Sequence, residues 1–396
     1  MRNPIQIAIV GSGPAGLMAA DHLSESLSQS AEIHLFEKRK GLGRKLLIAG
    51  SSGLNVSNDF PIVEWPKFFE GSWNWSKLFS DFGTDAWLSQ IHGLGFETFL
   101  GTSGRFFLKE MKASLFLKAW TSRLEKAGVT IHTDHDFQAF QKQDSKTRLD
   151  FKNGTHFVSD QTVFALGGGS WNDEEALIWP KAFQDHGIAF HDFTPANAGY
   201  EIDWPKAFLD EADRKPLKNI QLTTALGTKA GEILITSYGI EGTPVYFYGT
   251  PGLATLDLKP GLSEREVMAK LNQGKENFSL IRRAQKFLNL GDAAQALVFH
   301  LGFADPKRAP KTPEALATLI KKFPLTLKGP RPLSESISSR GGISLSELNP
   351  DFELIKFPGI FLAGEMLDWS APTGGFLIQA SAAQGYSCAQ AMISRI

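Results

Sequence analysis

Among 396 residues there is a single cysteine, Cys388. That excludes an intramolecular disulfide framework and any thiolate metal cluster of the usual spacings. Charge of neither sign is in excess: 41 Lys and Arg stand against 42 Asp and Glu, a formal net charge of -1, so no global field draws the chain to nucleic acid or to an anionic membrane. No stretch approaches the ~18 consecutive apolar residues of a membrane-crossing helix. The first residues run into an apolar strand pattern without the charged, apolar and small-residue succession of a signal peptide. The expectation is a cytoplasmic protein in a reducing compartment, with no membrane partner. No internal repeat or low-complexity tract appears. His132 and His135 form H-x-x-H, but without neighbouring ligands that spacing reads as a solvated pair, and no metal is expected.

What is present in quantity is apolar and aromatic. Hydrophobic residues make up 42% of the chain, with 30 Phe and 9 Trp. That is enough for a large core, and the length implies more than one domain, because single cores stop growing near ~250 to 300 residues. The aromatics are read as core and inter-domain filling.

The chemistry begins with "IAIVGSGPAGLMAADHL", residues 7 to 23. Residues 5 to 10 form a short β-branched run, the pattern of a buried parallel strand. Gly11, Gly13 and Gly16 follow as G-x-G-x-x-G, with Ser12, Pro14 and Ala15 completing the turn. Leu17, Ala20, Leu23 and Leu27 then recur at near-helical spacing. Each glycine answers a different demand: Gly11 the tight turn, Gly13 close approach of backbone to a pyrophosphate, Gly16 the packing of helix on strand. The helix N-terminus adds free N–H groups and a positive dipole end. A second strand, "AEIHLFEKR", ends in Glu37, at the ~20-residue distance where a carboxylate accepts from an adenosine ribose. A Glu there rather than an Arg-rich pocket points to an unphosphorylated ribose and so to FAD or NAD, although the cations Lys38 and Arg39 follow it directly.

Two stretches favour FAD. The segment "KGLGRKLLIAGSSGLNVSN", residues 40 to 58, is too long for a tight turn. Its Arg44, Lys45 and the backbone N–H groups from Gly50 to Asn55 are candidates to meet phosphate or flavin oxygens. Near the other end, residues 359 to 392 read "GIFLAGEMLDWSAPTGGFLIQASAAQGYSCAQAM". A strand delivers Gly364 and Glu365, the acid beside the ribityl chain. Gly374, Gly375 and Phe376 then open a helix whose N-terminus suits the negative charge that a reduced flavin carries around N1 and C2=O. Between them "TVFALGGGSW", residues 162 to 171, brings Ala165, Gly167 and Gly168 to a further glycine turn.

Together with "GRFFLKEMKAS", "GEILITSYGIEG" and "SSRGGISLSEL", these stretches resemble the BaiN/RdsA (YhiN-like) NAD(P)/FAD-dependent oxidoreductases along the whole chain. The resemblance implies an α/β fold: a discontinuous Rossmann-like FAD-binding domain (1–190 and 344–396) with an inserted β-barrel (191–261 and 324–343) and a small helical subdomain (262–323). It implies flavin-dependent reduction of conjugated C=C bonds, in steroid-like enones or in a ribosomal RNA uridine. The better-studied branch carries G-G-R-C-N where this chain has Ser52, Gly53, Leu54 and Asn55, so that Arg and that Cys are missing, and Leu108 stands where related chains place Pro.

The expected function is therefore an FAD-dependent oxidoreductase, with FAD held non-covalently and a small-molecule substrate whose activated C=C bond is reduced. The candidates for chemistry are Asn55 (flavin or substrate carbonyl), Arg105 and Lys112 (an anionic group), and Tyr238, Glu241 and Tyr246 (proton donation). No second G-x-G-x-x-G with its acid appears, so NAD(P)H is expected only as a transient electron donor. An RNA-modifying, uridine-reducing enzyme is the first alternative, favoured by the basic run Lys38, Arg39, Lys40, Arg44 and Lys45 and opposed by net neutrality. A flavin-binding regulatory protein without turnover is the second.

Overall fold

The computed structural model of the protein describes residues 4–27, 30–50, 53–101, 103–171, 177–273, 278–307 and 309–396. The chain forms two compact units, one from Met1–Ala196 with Ile337–Ile396, the other from Asn197–Ser336.

The first unit is built on a parallel sheet of five strands, in the order Ile360–Leu362, Gln161–Phe164, Ile5–Val10, Ala31–Phe36, Thr130–His132. The central strand buries Ile7, Ala8, Ile9 and Val10, the mark of a strand covered on both faces. It leads into the helix Pro14–Leu27, which packs on the C-terminal helix Phe376–Ile393. Their backbones come close: a Cβ at Gly385 would stand 2.1 Å from the Ala15 carbonyl oxygen. An antiparallel meander, Phe137–Gln143, Lys146–Phe151 and His156–Ser159, leads from the edge strand back towards the sheet centre. A separate antiparallel sheet has the order Asn55–Asn58, Arg105–Leu108, Thr98–Leu100. Strand Phe190–Ala196 leaves this unit and strand Ser338–Ile343 returns along it, antiparallel.

The aromatic composition is explained here. Trp65, Trp87 and Trp120 are fully buried, and each indole N–H donates: to Phe60 O at 3.0 Å, Val56 O at 2.9 Å and Asp21 Oδ2 at 2.9 Å. The rings thus bury large apolar area without orphaning their polar edge.

The second unit carries a six-stranded antiparallel sheet: Tyr200–Glu201, Gly239–Glu241, Gly227–Thr236, Pro216–Thr224, Gly252–Asp257, Phe323–Leu327. Its ends meet. The Glu201 N–H donates to Gly329 O and the Lys328 N–H to Glu201 O, both at 2.9 Å, so the residues after the last strand pair with the first and close the sheet into a small barrel, which removes its open edges. Between the last two strands the helices Glu264–Leu271, Leu280–Leu288, Asp292–Leu297 and Pro313–Lys321 are inserted. Their starts are written in the sequence: Ser263 and Glu266 form a reciprocal capping box, and Thr312 caps a helix with Pro313 in its first turn, both standard N-terminal signals.

The fold is thus mixed α/β, a Rossmann-type parallel sheet with an antiparallel barrel and helices inserted, as expected. No helix among the described residues is long and apolar enough to cross a membrane.

Candidate functional site

Three neighbouring strands of the parallel sheet end side by side. The Ala165 N–H donates to Val10 O at 2.8 Å and the Ala363 N–H to Phe164 O at 2.9 Å. Each strand end runs into a glycine-rich turn, so the carboxyl edge of the sheet opens into a cleft, where ligands of open α/β sheets bind. The cleft is lined by Gly11, Ser12, Gly13, Pro14, Ala15, Glu37, Lys38, Arg44, Lys45, Ala165, Gly167, Gly364 and Glu365, all of them residues singled out from the sequence.

The glycines divide by what stands next to them. Gly11 has φ +108°, and a Cβ there would lie 2.1 Å from Ala165 O; one at Gly16 would lie 1.9 Å from Gly11 O. Those two are required by the protein's own backbone. Gly13 is different, because a Cβ there would meet nothing within 4 Å. Open space beside a glycine at the start of a 14-residue helix leaves room for an external anion and answers no packing necessity of the protein's own.

Glu37 is held on all sides. The Ser12 hydroxyl donates to its Oε2 and the Arg39 N–H to its Oε1 at 3.0 Å, while Ser12 Oγ accepts from the Gly43 N–H at 3.0 Å. Its backbone is clamped as well: its N–H donates to His132 O at 2.8 Å, and its carbonyl accepts from the His135 N–H at 2.9 Å. The carboxylate is thus fixed at the lip of the cleft with lone pairs to spare for hydroxyls.

Further along, the Lys45 ammonium donates to Gly168 O at 2.9 Å and to Ser170 Oγ at 3.3 Å. Burial pushes Lys45 below the usual lysine range and Glu365 above the usual carboxyl range, and the opposite charges of the pair resist both shifts. Arg44 donates to Trp171 O at 2.6 Å.

Other residues singled out from the sequence lie away from the cleft lining. A Cβ at Gly50 would meet Ala113 Cβ at 2.4 Å, and one at Gly168 would meet Ser339 Oγ at 2.3 Å. Asn55 sits in the strand Asn55–Asn58 opposite Phe107; Ser51 and Ser52, within the same expected loop contact, lie outside the described residues. Gly375 has φ +95° and presses on the backbone of Ser57, where a Cβ would lie 2.5 Å from the Ser57 Cα. Phe376 is buried in an aromatic cluster with Trp65, Phe68 and Phe69, which leaves its backbone N–H but not its ring for a ligand. At Gly374 a Cβ would stand 3.3 Å from Arg105 Nε, and Asn58 Nδ2 donates to Gly374 O at 3.2 Å, so Arg105 and the start of the C-terminal helix are brought together. Desolvation holds the Arg105 pKa below that of a free guanidinium. Lys112 is exposed, at the cap of the helix Ala113–Lys126. Cys388 is buried with its thiol pushed up by desolvation. In the second unit Tyr238 donates to Glu241 Oε2 at 2.6 Å.

The cleft also takes in Gly43, Phe137, Trp179 and Ser381, which no motif indicated, together with Arg39, singled out only within the basic run, and His135, singled out only as one of a solvated pair. Gly43, at φ +61°, carried a signal in "GLG", a left-handed residue just before a helix. His135, whose H-x-x-H spacing reads as a solvated pair, arrives just before the meander, and Trp179, on the helix Trp179–Gln184, had no signal. Among the described residues no group of three or more His, Cys, Asp or Glu is arranged to hold a metal ion.

A family model described as HI0933-like protein Rossmann domain matches residues 5–391. The chain belongs to this family. Among its relatives, the 3-dehydro-bile acid delta(4,6)-reductase of Clostridium scindens is 24% identical over 423 residues, covering 98% of this chain and 99% of that one. The ribosomal RNA dihydrouridine synthase of Escherichia coli is 22% identical over 409 residues, covering 98% and 97%. Among solved structures, the 3-ketosteroid delta1-dehydrogenase from Sterolibacterium denitrificans aligns over 100% of both chains with a TM-score of 0.55 and 10% identity, a likeness of fold. The HI0933-like assignment agrees with the resemblance carried by the motifs.

Proposed function

We propose that the protein is an FAD-dependent oxidoreductase that reduces a C=C bond conjugated to a carbonyl group in a small or medium-sized molecule. The observation that carries the reading is the pairing, in one cleft, of a glycine with open space at a helix start, Gly13, and a carboxylate fixed for hydroxyl groups, Glu37. Those are the needs of a pyrophosphate and a ribose. The activity in the name of the Clostridium relative supports the choice of reaction.

In this reading Gly11 to Gly16 and the helix start hold the pyrophosphate, Glu37 the adenosine ribose, and Gly364 with Glu365 the ribityl hydroxyls. Lys45, tied to Gly168 and Ser170, balances charge within the cleft. Arg105 and Asn58, gathered at Gly374, serve the ring end or an anionic part of the substrate. Bound flavin supplies hydride transfer; the chain's own residues bind, orient and exclude water. NADH or NADPH docks transiently as the donor.

The test is a two-step anaerobic experiment. Flavin reduced by NADH, NADPH or dithionite should be reoxidised by a conjugated enone, giving a product heavier by two hydrogens. Reduced flavin that only oxygen reoxidises, whatever enone is offered, sinks the reaction while leaving the cofactor in place. The uridine-reducing reading rests on the Escherichia coli relative; conversion of uridine in ribosomal RNA, with no enone turnover, favours it.

A further inference from the structure

A serine or threonine inside a helix commonly turns its hydroxyl back onto a carbonyl of the preceding turn. Ser24 and Thr121 do so, donating to Asp21 O and Leu117 O, both at 2.9 Å. Ser381, inside the C-terminal helix Phe376–Ile393, does not: among the described residues its hydroxyl has no hydrogen-bond partner. The residue is nevertheless only 6% exposed, and it lines the cleft of the first unit. A buried hydroxyl without a partner is costly, and one that opens on a cleft is satisfied when a ligand brings the acceptor.

The packing of two helices fixes where that hydroxyl stands. Ser381 and Gly385, four residues apart, share a helix face, and Gly385 lies so close to the first helix that a Cβ there would stand 2.1 Å from Ala15 O. A Cβ at Gly364 would stand 3.3 Å from Ala15 Cβ and 3.9 Å from Ser381 Oγ. Ala15, Gly364 and Ser381 thus converge on one part of the cleft wall. Gly364 contributes room there rather than a donor, because its N–H already donates to Gln384 Oε1 at 2.7 Å, and its carbonyl accepts from the Trp369 indole at 2.9 Å. The donors that remain come from the two helices. The Leu17 N–H, bonded to Gly13 O at 2.9 Å, is the first in the ladder of the helix Pro14–Leu27, so the N–H groups of Ala15 and Gly16 stand ahead of it without a helical acceptor. The C-terminal helix adds the Ser381 hydroxyl.

We propose that Ser381 is a cofactor-binding residue whose hydroxyl donates to a diphosphate oxygen of FAD. The diphosphate is then held by the start of the first helix and by the inner face of the last one together. A phosphate oxygen is the acceptor that suits both, since the helix start favours an anion and a hydroxyl bonds more strongly to a charged oxygen than to a neutral one. The proposal rests on the FAD reading of the cleft for its choice of ligand.

Two measurements test it on the full-length protein. The first titrates two nucleotides into wild-type and Ser381→Ala apoproteins: FAD, followed by quenching of its fluorescence, and ADP, followed by its displacement of FAD. ADP carries the diphosphate and lacks the ribityl chain and the flavin ring. Ser381→Ala should melt no lower than the parent and bind both nucleotides about tenfold more weakly or worse, as loss of one charge-assisted hydrogen bond implies. Unaltered affinity in a folded variant overturns the proposal, and so does a loss confined to FAD, which would move the partner of the hydroxyl to the ribityl chain or the ring. The second measurement uses wild-type protein alone, so that a variant's misfolding decides nothing. In a crystal structure with FAD bound, Ser381 Oγ should stand about 2.5 to 3.0 Å from a phosphate oxygen, and a separation beyond hydrogen-bond reach overturns the proposal. Each of these negative results leaves the FAD reading intact; wild-type protein that binds neither FAD nor ADP overturns the proposal together with the reading on which its ligand was chosen.

Discussion

Gly11 and Gly13 are two residues apart in one motif, yet their substitution by alanine should have opposite consequences. At Gly11 the new Cβ would lie 2.1 Å from Ala165 O and 2.7 Å from its carbon, at φ +108°. Overpacking costs about 1 to 3 kcal/mol and a left-handed backbone about 1 to 2 more, a large share of a total stability of about 5 to 15 kcal/mol. At Gly13 the Cβ meets nothing within 4 Å, so apoprotein stability should stay within about 0.5 kcal/mol of the parent. The methyl group would, however, occupy the space that a pyrophosphate needs. Loss of one charge-assisted hydrogen bond costs about 1.5 to 3 kcal/mol, so FAD affinity should fall by about one to two decades. Thermal melting of both apoproteins and quenching of FAD fluorescence on titration separate the two effects. A Gly13→Ala protein that binds FAD like the parent would falsify the assignment of this turn to the cofactor, and a Gly11→Ala protein that melts like the parent would contradict the packing argument.

Removing the Glu37 carboxylate, in Glu37→Ala, deletes the acceptor of Ser12 and Arg39 and should weaken FAD by about one to two decades; an unchanged dissociation constant would place the ribose elsewhere. Gly375→Ala should destabilise apoprotein and holoprotein alike, by about 2 kcal/mol or more, and so lower both melting temperatures, because Ser57 stands in the way; FAD loss at an unaltered melting temperature would show that the helix end meets the cofactor instead. His34 Nδ1 and His132 Nε2 share a hydrogen bond of 2.9 Å, and burial lowers both pKa values. The unfolded chain, with histidines near ~6.5, therefore binds more protons than the folded one as the pH falls below that value. Stability should be complete above it and decline on further acidification. His132→Gln should flatten that decline, and an equal slope in parent and variant would remove the pair as its cause.

The parts of the site that were legible in the sequence are those where one short stretch carries its own reason. The run from Ile5 to Leu27 encodes strand, turn and helix within a few residues, and Glu37 follows at a spacing fixed by that unit. A glycine, by contrast, records only that something comes close. Gly13 and Gly375 look alike as letters, yet one faces open space and the other the backbone of Ser57, a strand more than 300 residues earlier in the chain. Phe376 was read with the glycines beside it, whereas the hydrophobic effect draws its ring to Trp65 and Phe69. Trp179 reaches the cleft only through tertiary folding, for which no local pattern exists, and the H-x-x-H spacing of His135 says nothing of its place there. Tyr238 and Glu241 stand out in the sequence only as separate candidates; neither the hydrogen bond that joins them nor the Arg331 that lies against the Tyr238 ring is legible there.

The central claim is that this cleft holds FAD. Its most direct measurement is to purify the protein, denature it and quantify the nucleotide released. One FAD per chain, freed without proteolysis, is the predicted result; protein that releases no flavin and takes up none when incubated with FAD would contradict the account.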